Sequence, residues 1–260
     1  IKGLHHRGIK TIKPLIKLKK GELISEGEIA GILREIYNTG YFSDVKAILS
    51  DSSGGEITFV LKENPVINKI VIDGNNAISD EEILSVMKNK EGDILNSAYW
   101  EDDYQSILKL YRKKDYSLAS IDSVRFDKSS GTLTVKIDEG IISAIETNGN
   151  HKTRRHVILR EFPLKPGEIF NLKKATQGIT NIFSTGLFER VFLTLKRGNP
   201  HPKVIINLIE KKYLIAKVGL RYDLEKSTRG LLELKYDNTF GIGCLLYTSD
   251  AADELDGVDL

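Results

Sequence analysis

One pattern returns three times along the chain: a basic residue, a glycine, an acid, apolar residues and a polar helix-capping residue, as KKGELIS (19–25), KEGDILN (90–96) and KPGEIFN (165–171). Its glycines are Gly21, Gly92 and Gly167, and eighteen positions before each stands another, Gly3, Gly74 and Gly149. The latter two sit in IDGNN and TNGNH after a short apolar segment. A repeat at fixed offset constrains the fold more than any single motif, because each copy must be one supersecondary unit that buries its apolar face with its neighbours.

Each basic-Gly-acid turn leads into a helical pattern. Ser25 and Glu28 form a capping box, and Ile29, Ile32, Leu33 and Ile36 recur at i, i+3, i+4 and i+7. Trp100, Tyr104, Ile107, Leu108 and Tyr111 mark one face in the second copy; Leu172, Ala175, Ile179, Ile182 and Phe183 do so in the third. Helical spacing makes Trp100, Tyr104 and Tyr111 core residues and leaves Asp102 and Asp103 on the solvated face. Before the turn, Ser79 and Glu82 form another box opening a shorter helix with Ile83, Leu84 and Met87 inward, and residues 157–162 hold the equivalent place in the third copy. Strictly alternating strands close the copies, burying Ile57, Phe59 and Leu61, then Leu133, Val135 and Ile137, then Val204, Ile206 and Leu208. Glu63, Glu139 and Glu210 end them.

The unit is therefore strand, helix, helix, strand, strand: an α+β module with two helices on one face of a three-stranded mixed sheet. The boundaries expected are 1–64, with most of the first strand missing, 65–139 and 140–211. About 70 residues is marginal for one core but workable when units pack end to end. In the second copy Asp115 stands where the others have Gly40 and Gly186, which bears on its helix-to-strand turn. The links at Asn64-Pro65 and Glu139-Gly140 are short and predict breaks in the elements.

Composition removes several classes. A single cysteine, Cys244, makes no internal disulfide and no cysteine-ligated metal site. No apolar run reaches the roughly 18 residues of a membrane helix, so only β-type spans remain. The chain opens on Ile1 and its one methionine is Met87, so it reads as a piece of a longer frame with no signal peptide to see. No GxSxG, GxxxxGK[ST], HExxH or CxxC occurs, and the GIG at 241–243 lacks a nucleotide-binding setting. His5 and His6 are adjacent and diverge, while His151, His156 and His201 fall in turns or at a helix start, so no catalytic or metal role is expected. Lys17, Lys19 and Lys20 read as a solvated loop rather than a headgroup site. Lys and Arg are scattered without an aromatic stripe, and no nucleic-acid partner is expected.

From Tyr213 the rhythm changes. Leu214, Ala216, Val218, Leu220 and Tyr222 alternate with Lys217, Gly219, Arg221 and Asp223; after a polar turn Leu232, Leu234 and Tyr236 alternate with Glu233, Lys235 and Asp237. Such ten-residue alternation is the weak signature of a transmembrane barrel hairpin. Residues 244–260 are similar to a translated sequencing adapter and are expected to be an artefact; they carry five acids and no base. Without them 38 basic residues face 31 acidic, a formal +7.

The threefold register, with VINKIVIDGNNAISDEEILSVM (66–87) and IFSTGLFERVFLTL (182–195), resembles the polypeptide-transport-associated, or POTRA, domain in tandem periplasmic arrays of the BamA and TamA superfamily. The resemblance implies that residues 212–243 open an outer-membrane β-barrel, with 238–243 the turn after its second strand. It also implies a non-enzymatic scaffold on the periplasmic face of the bacterial outer membrane, without cofactor. The implied partners are unfolded outer-membrane proteins, periplasmic chaperones or accessory lipoproteins, and outer-membrane lipid through the barrel. The exposed edge in the family is the strand after the second helix, here Val45, Ala47 and Leu49, Ile121, Ser123 and Arg125, and Val191, Leu193 and Leu195. An uncapped edge accepts a further strand through backbone groups, with little side-chain specificity. The alternative expectation is the POTRA-barrel portion of a patatin-like phospholipase, whose Ser-Asp dyad would lie upstream of Ile1. A POTRA scaffold without a barrel is disfavoured by the alternation after Tyr213.

Overall fold

The computed structural model describes residues 1–5, 12–18, 24–50, 55–196, 198, 201–222 and 228–252. The chain divides into two compact units, residues 1–139 and 140–260.

The first unit contains two repeats. The earlier one has a 3-10 turn at Lys13–Leu15, helix α1 (Glu26–Asn38) and strands β1 (Phe42–Ser50) and β2 (Glu56–Glu63), paired antiparallel. A bridge from Lys2 to Val60, with Lys2 N donating to Phe59 O at 2.8 Å, stands where the opening strand would be. The expected two helices are thus one helix and one 3-10 turn among the described residues. The later repeat is complete: β3 (Lys69–Asp73), α2 (Asp80–Val86), α3 (Tyr99–Lys113), β4 (Ser120–Asp127) and β5 (Thr132–Asp138). Its sheet runs β3-β5-β4, with β3 parallel and β4 antiparallel to β5.

The second unit repeats that plan with β6 (Ala144–Asn148), α4 (Arg155–Leu159), α5 (Leu172–Ser184), β7 (Phe188–Lys196) and β8 (Lys203–Glu210), in order β6-β8-β7. An antiparallel meander follows, β9 (Leu214–Tyr222), β10 (Thr228–Thr239) and β11 (Cys244–Ala252), with β10 central. Residues 244–252, expected to be an appended artefact, form its third strand. The polar turn of the expected hairpin at 223–227, the first basic-Gly-acid turn at 19–23 with Lys19 and Lys20, and His6 lie outside the described residues.

The sequence repeat is a repeat in space. Gly3, Gly74 and Gly149 all take positive φ, at 93°, 87° and 87°. A Cβ on each would stand 1.9, 2.2 and 2.1 Å from the carbonyl oxygens of Leu61, Ile137 and Leu208, the third apolar residue of each central strand. Only glycine allows both the left-handed backbone and that approach. The second and third basic-Gly-acid turns pin the segment before their opening strands: Gly92 N donates to Ile67 O at 2.7 Å and Leu95 N to Pro65 O at 2.9 Å. Gly167 to Ile142 and Phe170 to Gly140 reproduce this at 2.8 and 3.1 Å. At the helix-to-strand turn Asp115 adopts φ 68°, beside 79° for Gly40 and 75° for Gly186, so the turn survives the substitution. Aspartate tolerates the left-handed region better than most side chains.

The expected core is present. Ile36, Phe42, Phe59 and Leu61 pack in the first repeat, and Ile83, Ile107, Tyr111, Leu133, Val135 and Ile137 in the second. The Ser25–Glu28 box forms in full. Four readings need correction. Asp103 is buried, not solvated: its carboxylate accepts from the amides of Lys88 and Asn89 and from Asn89 Nδ2 at 2.7 Å, while Asp102 pairs outside with Lys88. The Ser79–Glu82 box is half formed, because Ser79 accepts from the Glu82 amide while the Glu82 carboxylate pairs with Lys114 at 2.5 Å. Leu172 and Phe183 are 48% and 52% exposed. Helix α5 instead presents Ala175, Gly178 and Ile182 inward, and a Cβ on Gly178 would lie 2.3 Å from the Phe162 ring.

Candidate functional site

In each repeat the strand after the long helix lies at an edge: among the described strands β1 pairs with β2 alone, β4 with β5 alone and β7 with β8 alone. The residues expected to form the edge lie on those strands. Val45, Ala47 and Leu49 stand opposite Leu61, Phe59 and Ile57, on the helix-facing side. Val191, Leu193 and Leu195 stand opposite Leu208, Ile206 and Val204 in the same manner. The second repeat differs. A bulge between Ile121 and Ser123 puts Ile121 opposite Ile137, but Ser123 and Arg125 opposite Lys136 and Thr134 on the outer face. There Val124 and Phe126 take the inward places, opposite Val135 and Leu133.

All three edge strands carry one such irregularity near their start: at Phe42/Asp44, at Ile121/Ser123 and at Phe188/Arg190. A bulge adds one residue, bends the strand and increases its twist, one of the ways an edge is kept from indiscriminate pairing. Beyond the bulges, β1 and β7 leave large apolar side chains in solvent, namely Ile48 and Leu49, and Phe192 and Leu195. On the outer face of the third sheet a polar ladder crosses the strands, with Asn207 Nδ2 donating to Thr194 Oγ1 at 2.9 Å and Asn148 Nδ2 to Asn207 Oδ1 at 3.2 Å. Phe192 and Ile48 lie outside the edge positions that the family resemblance implied, since outward places on a strand carry no burial signal in the sequence.

The acids ending the central strands fix the loops beside these sheets. Glu139, buried, accepts from the amides of Asn76 and Ala77 at 2.8 and 2.9 Å and from the Tyr111 hydroxyl at 2.8 Å. Burial, and then that bond, push the Tyr111 phenol far above its usual range. Glu210 accepts from the amides of Lys152 and Thr153 at 3.0 and 2.7 Å. Burial raises its carboxyl, but the bonds from Thr153 and Lys152 outweigh burial and hold it below the ordinary carboxylate value. Lys17 lines an open cleft of about 280 Å³ with Leu18, Ile24, Glu28, Gly31, Ile32 and Glu35. Among the described residues no group of three His, Cys, Asp or Glu could hold a metal ion, and no helix is long and apolar enough to cross a membrane.

Repeated small sheets, each helix-covered and each with one bulged edge strand among the described strands, define a class of tandem α+β modules. The POTRA family model, described as a surface antigen variable number repeat, matches residues 65–140 and 141–211, more than half of the chain, and the chain belongs to that family. BamA, the outer membrane protein assembly factor of Nitratidesulfovibrio vulgaris, is 32% identical over 143 residues, which cover 52% of this chain and 18% of that protein. A putative outer membrane protein assembly factor of Treponema pallidum is 27% identical over 161 residues, 59% of this chain and 19% of its own. The chain thus spans less than a fifth of the length of these two relatives. The N-terminal domain of Omp85 from Thermosynechococcus elongatus superposes with a TM-score of 0.73 at 25% identity, over 81% of this chain and 94% of that one. POTRA1-3 of Omp85 from Anabaena shares the fold, with a TM-score of 0.60 at 24% identity over 78% and 88%.

Proposed function

We propose that this chain is part of the periplasmic POTRA array of an outer-membrane protein assembly factor, where it takes up extended segments of unfolded outer-membrane proteins by strand addition and passes them to a barrel. Accessory lipoproteins or periplasmic chaperones would use the same edges. The observation that carries the reading is β7: nine residues paired, among the described strands, on one side only, with Phe192 and Leu195 exposed along it. Its backbone groups supply affinity and its apolar side chains favour alternating, β-prone clients. Val191, Leu193 and Leu195 are the positions proposed to register the client; Val45, Ala47 and Leu49 offer a second edge, and Ile121, Ser123 and Arg125 a more polar third.

Residues 1–64 are proposed as a third POTRA unit. Gly3 meets Leu61 as Gly149 meets Leu208, and Phe42 pairs with Glu63 as Phe188 does with Glu210. Strands β9 and β10 are proposed to open the barrel. Leu214, Val218 and Leu234 are exposed on one face of the meander, and Lys217 pairs with Glu233 at 3.2 Å on the other, the apolar-out and polar-in division a membrane barrel requires. The capture reading is tested by titrating the isotope-labelled chain with an unfolded β-hairpin peptide from a barrel protein. Amide shifts concentrated on β7 support it, whereas shifts concentrated on α5, or none, would reject it.

A further inference from the structure

The third repeat passes into β9 through Lys211, Lys212 and the buried Tyr213. The Tyr213 hydroxyl shares a hydrogen bond of 3.0 Å with Thr153, whose hydroxyl also accepts from Asn238 Nδ2 at 2.9 Å. Arg154 N donates to Gly241 O at 2.9 Å, and the Lys152 ammonium stands 5.8 Å from the centre of the Tyr213 ring. This network gathers Lys152, Arg154, Lys211 and Lys212, all exposed, around one junction. Of the carboxylates at the junction, Glu210 is engaged by the amides of Lys152 and Thr153, and Asp237, whose amide donates to Tyr213 O, pairs with Lys235. Apolar surface begins at once beyond the cations. Leu214 is 64% exposed, and Phe240, 80% exposed, projects from the turn whose Gly241 abuts Lys152. Phe240 holds φ at 57°. That is a strained setting for a bulky residue and marks a turn over-determined by its surroundings.

Cations at the end of an apolar band, with an aromatic among them, match the level where a protein leaves water for a bilayer: the cations reach phosphates and the ring enters the acyl boundary. We propose that Lys152, Arg154, Lys211 and Lys212 form a collar that seats the third repeat on a bilayer surface bearing anionic phosphodiester headgroups, with Leu214 and Phe240 entering the boundary. The collar rests on the reading of β9 and β10 as barrel strands, since these place the junction at the membrane surface.

Flotation of the whole chain with vesicles of phosphatidylcholine, with or without about 30 mol% phosphatidylglycerol, tests it. Anionic vesicles should carry the chain, and raised salt should release it. A K152Q/R154Q/K211Q/K212Q variant should lose at least about tenfold in partitioning. K211R/K212R should retain binding, which separates charge from folding. A charge-matched control, K62Q/K69Q/K109Q/K128Q, should float as the parent does. Equal flotation of the collar variant, indifference to phosphatidylglycerol, or an equal loss in the control overturns the proposal; the last would make attraction a matter of net charge alone. An environment-sensitive label on Val218→Cys, in a Cys244→Ser background, separates the two readings. A label that stays in water while flotation remains collar-dependent counts against the barrel strands. A label that enters lipid while flotation ignores the four cations counts against the collar.

Discussion

Gly149 and Gly167 both hold positive φ, yet they differ in what a side chain would meet: the Leu208 carbonyl at 2.1 Å for Gly149, open space for Gly167. Gly149→Ala should therefore cost about 2 to 4 kcal/mol, combining left-handed strain with a backbone clash, and Gly167→Ala about 1 kcal/mol from strain alone. Urea denaturation of the two variants measures the difference. Glu210 gives the second residue-scale expectation. Its carboxyl is held below its usual 4.5 in the fold, so the unfolded chain binds the extra proton first. Its contribution is complete above about pH 4.5 and is lost as pH falls through the lowered folded value. Thermal melts at falling pH should show a steeper loss in the parent than in Glu210→Gln, and parallel curves would contradict this. The terminal acids were legible in the sequence as a threefold feature, but their role was not. The amides that Glu139 and Glu210 hold lie far away along the chain, as do those that bury Asp103, and such pairings leave no local signal.

Elements followed from periodicity wherever one face was buried and the other wet. The strands of Phe59, Val135 and Ile206 emerged as expected because alternation of period two is unambiguous there. Helix α5 buries Ala175 and Ile182 as expected, but Gly178 and not Leu172 or Phe183 completes the inward face, fitting beneath Phe162; a glycine that yields space to an aromatic ring does not register as apolar patterning. Bulges were equally silent, and the one between Ile121 and Ser123 moves Ser123 and Arg125 to the outer face. For β7 they set a sharp expectation. Successive amides in an antiparallel edge strand point alternately to the partner and to solvent. Of Val191→Pro and Phe192→Pro, one should break a β7–β8 bond and destabilise the sheet, while the other folds normally and loses client capture. Melting temperatures and peptide binding of both variants decide it. Two stable variants with unaltered capture would remove β7 from the account.

At the scale of the whole molecule, the order of elements within a repeat was the most legible feature, because the glycine offset follows from geometry: the chain must come back from the end of the opening strand, at Gly74 or Gly149, to its start, where the next turn bonds Ile67 or Ile142. Strands β9 and β10 were legible as alternation, whereas β11 was not expected as a strand; the docking of the meander on the third repeat through Thr153, Tyr213 and Asn238 was not legible either, since that contact joins residues 85 positions apart. The open edges, and not the helical faces, are proposed to receive an extended client. The most direct measurement is site-specific photo-crosslinking of an unfolded barrel protein to the whole chain, with the probe placed in turn at Ile48, Arg125 and Phe192 on the edge strands and at Thr180 on α5. Adducts are expected at the edge positions, foremost Phe192, and background at Thr180. Adducts at Thr180 equal to those at Phe192, or none at any edge, would contradict it.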